Sequence, residues 1–525
     1  MPATLANLKQ LLGHDGVSDD AAKRKLFSQD VWHVGDLADF IIAPDSAQAL
    51  ADAVKLASSE GISLNPRGGG MSYTKGYTPD RGKTAMIDFT RMNKILEINA
   101  DDMYVTVQAG VTWKQLYEAL SPLGLRTPFW GPLSGISSTI GGGLSQNNAF
   151  FGGGKYGPSV NSVTSLTVVT GEGEIIRTGT SGHKNGKPAF REYGPDLTGI
   201  FLADAGALAY KAEATLRLIQ TPLHFDCASF DFPDAAGVAE AMEKITRTGL
   251  ACEAFAFDPN LQRVRMQRAS LGSDVKTLKN VVTKQGGLLK GIKAGAKLAM
   301  AGRGYMDDVQ YSLHVSTEGM SAQGVKDECE LLRALALDCG GTEIENSIPK
   351  IMRANPFGPL NNMLGPRGER WVPIHGIVPL SDGPKCFADM NAMFADCADD
   401  IEKHEITTGF LLVNVGVQGY LIEPVFIWPE EIYDLHKLSV EKSHLKKLTA
   451  FDPNPDATAC VERLRANVLD IFEKYGAAHF QIGRTYRYSE NMEEGKAGLL
   501  AAIKSHTDPK GLINPGALGL NKVSG

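Results

Sequence analysis

The chain has 525 residues, 43% hydrophobic and 22% charged, with a formal net charge of −7 at pH 7 and a pI near 5.9. That length exceeds one ordinary core, so two or three domains are expected, and the acidic balance argues against a general nucleic-acid binder. Seven scattered cysteines without a CxxC pair fit reduced thiols and offer no zinc spacing. Residues 1–16 lack a basic segment followed by an apolar one, and no apolar run is long enough for a membrane span, so a cytoplasmic location is expected.

Taken in order, residues 1–45 read as a helix, a loop and the short strand Phe40-Ile41-Ile42-Ala43, stopped by Pro44. Residues 46–59 form an amphipathic helix that Ser46 can cap, with Leu50, Val54 and Leu56 as its apolar stripe. A strand-like approach (Ile62, Leu64) then enters Pro66-Arg67-Gly68-Gly69-Gly70-Met71-Ser72-Tyr73. Glycines permit positive φ and leave N–H groups bare, so such a turn can wrap a pyrophosphate as an anion-binding nest. A hairpin is expected from residues 92–99 and 104–110, and Thr112 caps a helix carrying Trp113, Leu116, Tyr117 and Leu120. A second glycine-rich region covers 131–157, with Thr139-Ile140-Gly141-Gly142-Gly143 and Phe151-Gly152-Gly153-Gly154-Lys155-Tyr156-Gly157. Strands are expected over 163–169, 174–178 and 214–219, so residues 40–220 read as one α+β unit with two separated glycine loops.

From about 221 the glycine density falls and the pattern changes. Helices are expected over 234–248, 321–338, 456–475 and 492–505, and strands over 253–257, 308–315, 371–380 and 407–428. The glycine- and lysine-rich stretch 284–303 suits either a membrane- or partner-facing amphipathic helix or a solvated helix with a loose flank. His375 lies in the strand broken by Pro373, where a neutral imidazole could take a substrate proton, or simply pack. Arg370, Asn414, Gln418 and Glu423 could line the same pocket by strand alternation, and no histidine spacing suggests a metal.

Several sequence words occur in the order found in one flavoprotein family. They are Pro66-Arg67-Gly68-Gly69-Gly70, the run from Asp88 to Asn99, Thr139-Ile140-Gly141-Gly142-Gly143 and Lys155-Tyr156-Gly157. Gly194-Pro195-Asp196-Leu197-Thr198-Gly199, Ala214-Thr215-Leu216-Arg217-Leu218 and the ending Asp508-Pro509-Lys510-Gly511-Leu512-Ile513-Asn514-Pro515-Gly516 complete the set. The chain thereby resembles the family of vanillyl-alcohol oxidase and p-cresol methylhydroxylase, which also includes FAD-linked D-lactate and glycolate dehydrogenases. The resemblance implies an α+β protein: a PCMH-type FAD-binding domain of two α/β subdomains at 1–220, an α+β substrate-cap domain at 221–475, and a segment at 476–525 returning to the FAD domain.

It also implies roles. Pro66, Arg67, Gly68, Gly69, Gly70, Met71, Ser72 and Tyr73 should hold the FAD pyrophosphate, and Ser138, Thr139, Gly142, Gly143 and Ser145 should line its far side and the flavin. Ala205, Gly206 and Leu208 should lie along the adenine end, with Tyr156, Gly157 and Asn514 completing the cofactor set. Met71 where a covalent flavoprotein often has histidine, and Trp371 near the late attachment position, imply dissociable FAD. The hydroxy-acid branch typically carries a metal-binding histidine cluster, and the matching strand here has no histidine. The phenol-oxidising branch carries a late Tyr-Arg pair, matched by Tyr486 and Arg487, with Met492 after them. Its second phenolate-binding tyrosine is replaced by Met71, and the acidic residue after the Tyr-Gly of the second loop by Pro158-Ser159.

The expectation is an oxidase or dehydrogenase that moves hydride from an alcohol or para-alkyl carbon of a phenolic substrate to the flavin. Tyr486 and Arg487 would stabilise the phenolate, because a buried phenolate needs a cation and arginine stays charged, with His375 as a third catalytic candidate. The alternatives are a 2-hydroxy-acid dehydrogenase in which Arg487 binds the carboxylate, and a flavoprotein subunit of an electron-transfer complex. Oxygen, a cytochrome or a quinone would be the electron acceptor, and a homodimer is expected.

Overall fold

The computed structural model describes residues 2–268 and 308–520, so the stretch 284–303 lies outside the described residues. The chain divides into two compact units, one of residues 1–149, 159–221 and 480–525, the other of 150–158 and 222–479. Residues 150–158 group with the second unit, and the last stretch of the first unit begins at 480.

Two larger sheets and a two-stranded pair, Leu125–Arg126 with Ile219–Gln220, make up the strands described in the first unit. The first is four-stranded, ordered Val17–Ser18, Phe40–Ile42, Thr84–Asp88 and Ser63–Arg67, with its last three strands parallel. Parallel strands are buried on both faces. The helix Ala47–Ser59, capped by Ser46 as its sequence implies, packs Leu50, Val54 and Ala57 into a core with Ile42, Leu64, Ile87 and Ile513. The second sheet is five-stranded and antiparallel, ordered Ile95–Asn99, Tyr104–Gln108, Tyr210–Arg217, Val163–Val169 and Ile175–Arg177. Its first two strands are the expected hairpin, and Thr112 forms a full capping box with Gln115 on the helix Trp113–Leu120. The second glycine loop contains the short helix Ile140–Gln146, because Thr139 caps it and accepts from Gly142 N. The tail closes this unit: Ile513 bridges Leu64 in parallel, with Leu64 N donating to Leu512 O and Asn514 N to Leu64 O.

The second unit is built on an eight-stranded antiparallel sheet. Along its path lie Thr342–Ile344, His224–Phe232, Tyr311–Gly319, Glu253–Phe257, Thr407–Val415, Gly419–Trp428 and Arg370–Pro373, with Gly376–Pro379 also pairing Gly419–Trp428. The strand expected over 371–380 is two strands, because Pro373 has no N–H to continue the ladder and the chain bends through Ile374 and His375. Helices cover one face: Phe387 and Phe394 meet Phe410 edge-on, Thr317 Oγ1 bonds Val325 O, and Trp428 Nε1 donates to Thr458. On the opposite face the helix Pro259–Arg268 packs against the sheet, and a Cβ at Gly409 would meet Leu261 at 2.9 Å. Among the described residues no helix is long and apolar enough to cross a membrane.

Candidate functional site

Three glycines in a row are needed here for space. A Cβ on Gly68 would sit 2.3 Å from Thr139 Oγ1, and one on Gly69 would sit 1.9 Å from Ser137 O. The two glycine loops of the first unit therefore lie back to back, closer than any side chain allows. Gly70 has φ +77, and its Cβ would lie 2.4 Å from Arg67 Nη2, which adds conformational demand to the steric one.

The two loops differ in what they offer a ligand. In the second, the amides of Ser137 and Ser138 bond Ser134 O, that of Ile140 bonds Val111 O, and that of Gly141 bonds Ala109 O. Gly142 N takes the Thr139 hydroxyl and Gly143 N the Thr139 carbonyl, while the Ser138 hydroxyl bonds Ser134 and that of Ser145 donates to Gly141 O. This loop presents a surface whose donors are already used. In the first, the amides of Gly69, Gly70, Met71 and Ser72 donate to no protein acceptor among the described residues. Beneath them the Arg67 guanidinium, 5% exposed, stacks 4.2 Å from the Phe27 ring and 5.7 Å from Tyr77. A run of bare amides over a buried cation suits a diphosphate dianion, so these residues fit FAD.

What holds this cradle was not visible in the sequence. Asp30, fully buried, accepts from the amides of Trp32 (3.0 Å), His33 (2.8 Å) and Lys75 (2.7 Å). Burial pushes its carboxyl up to about 6 against those hydrogen bonds. Val31 N bonds Ser72 O, Trp32 Nε1 donates to Tyr73 O at 2.7 Å, and Tyr77 Oη reaches Gln29 O and Gly70 O. Residues 29–33 thus strap the loop from outside. An isolated aspartate in a loop carries no periodic signal, so only the fold reveals it.

From the other side, Arg484 donates to Lys75 O, Pro515 O and Asn514 Oδ1, and its amide bonds Thr74 O. The Asn514 side chain donates to Gly76 O at 2.9 Å and Ala205 O at 2.8 Å. Expected to touch the cofactor, Asn514 has its amide group engaged in joining loop, tail and the 205–208 segment. In that segment Ala205 and Gly206 both have positive φ, Ala205 N bonds Ser145 O, and a Cβ on Gly206 would meet Pro66 at 2.9 Å. Leu208 N is held by Asp204, itself in a buried 2.6 Å ion pair with Lys211.

The remaining candidates divide between the units. Tyr486, 4% exposed, and the half-buried Arg487 stand in the first unit, in the turn that follows Arg484. Tyr156, Gly157 and His375 belong to the second. The segment 150–158 is fixed there by Gly152 N to Glu253 at 2.8 Å, Gly154 N to Cys252 O and Lys155 Nζ to Glu318 O at 3.1 Å. Gly154 lies where a Cβ would be 2.0 Å from Asn414 Nδ2. His375 is 2% exposed, its carbonyl sits 2.9 Å from His479 Nδ1, and burial pushes its imidazole down to about 3. Such an imidazole stays neutral at working pH and is a weak proton acceptor. Arg370, 1% exposed, lies 3.7 Å over the Tyr433 ring and donates to Glu431 O, which gives it a structural occupation.

Comparison with known proteins also points to FAD. A family model described as an FAD binding domain matches residues 38–179. Glycolate oxidase subunit GlcD of Bacillus subtilis is 33% identical over 216 residues, 41% of this chain and 44% of that protein. D-2-hydroxyglutarate dehydrogenase of Stutzerimonas stutzeri is 29% identical over 235 residues, 44% of this chain and 49% of that protein. The chain thus spans a little under half the length of the curated relatives it matches. A crystal structure of p-cresol methylhydroxylase with substrate bound superposes with a TM-score of 0.72 at 17% identity, covering 99% of this chain and 97% of that one. An FAD binding domain thus falls on the unit that holds the bare-amide cradle, the chain shares the fold of p-cresol methylhydroxylase along its length, and FAD is its cofactor.

Proposed function

We propose that the chain is an FAD-dependent oxidoreductase that removes hydride from the alcohol carbon of a 2-hydroxy acid and passes the electrons to oxygen, a cytochrome or a quinone. The observation that carries the redox reading is the run of undonated amides at 69–72 over Arg67. The substrate class is supported by the relatives named for glycolate and D-2-hydroxyglutarate. FAD supplies the hydride acceptor when bound. Arg487 would clamp the substrate carboxylate with its planar fork, and Tyr486, already buried, would hold an oxygen of the same group. The cradle residues bind the diphosphate and leave no histidine at 68–73 for a covalent link, so the flavin is dissociable.

A phenolic substrate is the second reading, favoured by the buried tyrosine directly followed by an arginine, a pairing suited to a phenolate. An anaerobic titration decides: D-lactate, glycolate and D-2-hydroxyglutarate beside 4-hydroxybenzyl alcohols, read by bleaching of the visible flavin band. Bleaching by a hydroxy acid is expected, and bleaching by the phenols alone would transfer the reaction to the second reading. Acid precipitation is expected to leave the flavin in the supernatant.

A further inference from the structure

The sheet face of the second unit that carries the helix Pro259–Arg268 is apolar apart from a few side chains. Register places Ser312, Phe257, Leu411 and Glu423 in one row across four strands, and Ser229, His314, Phe255, Val413 and Leu421 in the next. His314 is fully buried between the Phe255 ring (5.0 Å) and the Phe257 ring (5.8 Å), with Nδ1 2.8 Å from Ser229 Oγ. Among the described residues its Nε2 has no hydrogen-bond partner. Arg265 reaches over this face from the helix, its guanidinium 4.3 Å from the Phe257 ring. It makes no ion pair or hydrogen bond among the described residues, and neither does Glu423, the acid whose charge acts on it.

On this face a guanidinium and a ring nitrogen lie against the same aromatic rings with a carboxyl in the same row, and none has a hydrogen bond among the described residues, which is costly unless something binds them. Their electrostatics agree. Desolvation lifts the Glu423 carboxyl to about 7 despite Arg265, so it holds only part of a countercharge for the arginine at neutral pH, while burial keeps His314 neutral. The geometry points to an anion subsite in which Arg265 takes the carboxylate of a small organic acid, His314 Nε2 supplies a second polar contact, and Glu423 is the competing anion. It deepens the hydroxy-acid reading, on which only the choice of probe rests.

Glutarate, a dicarboxylate with no hydroxyl to oxidise, is titrated calorimetrically into the FAD-loaded protein. Saturable binding is expected, weakened about tenfold or more by Arg265→Gln, with the flavin spectrum unchanged. Glu423→Gln is expected to tighten binding about threefold by removing the competing charge. Should Arg265→Gln fail to fold, Glu423→Gln alone decides, since lost structure does not tighten binding. Absence of glutarate binding, or equal affinity in wild type and Arg265→Gln, overturns the subsite. Flavin bleaching by hydroxy acids is read separately: bleaching without glutarate binding removes the subsite and keeps the reaction, while glutarate binding without bleaching keeps the subsite and removes the reaction.

Discussion

At the scale of single residues, space decides more than chemistry. Gly69→Ala would place a methyl carbon 1.9 Å from Ser137 O, a backbone atom that cannot step aside, so the two loops must part. The expected outcome is a protein largely without flavin, measured as the flavin-to-protein ratio after desalting. Gly142→Ala is the contrast, because its Cβ would meet nothing nearer than Thr139 Oγ1 at 3.1 Å, and most of the flavin should be retained. His375 gives a pH prediction. Its folded pKa of about 3 lies below the ordinary 6.5, so the unfolded chain binds the extra proton and stability falls as pH drops from 6.5 toward 3. Against wild type, His375→Gln should lose about 2 kcal/mol less between pH 7 and pH 4.5, read from urea midpoints. An equal loss in both proteins would show that this imidazole is protonated in the fold.

At the scale of elements, the cradle is a loop clasped from both sides. Asp30→Ala deletes the acceptor of three amides and should cost about 2 kcal/mol, with the larger effect on FAD affinity, because Lys75 N loses its tie beside the loop. Asn514→Ala, which releases Gly76 O and Ala205 O together, should raise the FAD dissociation constant without altering which substrates bleach the flavin. Flavin fluorescence on dilution measures both. The first loop and the Ser46 and Thr112 caps were legible in the sequence because each rests on local chemistry. The second loop reads as a loop by its glycines, yet it contains a helix. Thr139 caps it, and its glycines answer to Ala109, Trp113 and Asn148 across the chain.

At the scale of the whole molecule, the first unit is assembled from three stretches of chain, and the last is structural. Removing residues 480–525 takes away Ile513 beside Leu64, the Arg484 and Asn514 ties, and Lys504, which bonds Ala207 O and Asp508. The truncated protein is expected to retain no FAD, measured by absorbance after gel filtration. Retained flavin would mean that the first 221 residues hold the cradle unaided.

The sequence by itself determined the cofactor loop, the order of the family's words and the change of pattern near residue 221, because each depends on neighbours a few residues away. It also named Tyr486 and Arg487 as a pair. Only tertiary structure decided that residues 150–158 belong with the second unit, since glycine content says nothing of which core will cover a segment. The same holds for Asp30, Asn514 and Arg265. Each has a decisive partner dozens to hundreds of positions away, Lys75 for Asp30, Ala205 for Asn514 and Glu423 for Arg265, and an interaction at that separation leaves no mark on the local sequence.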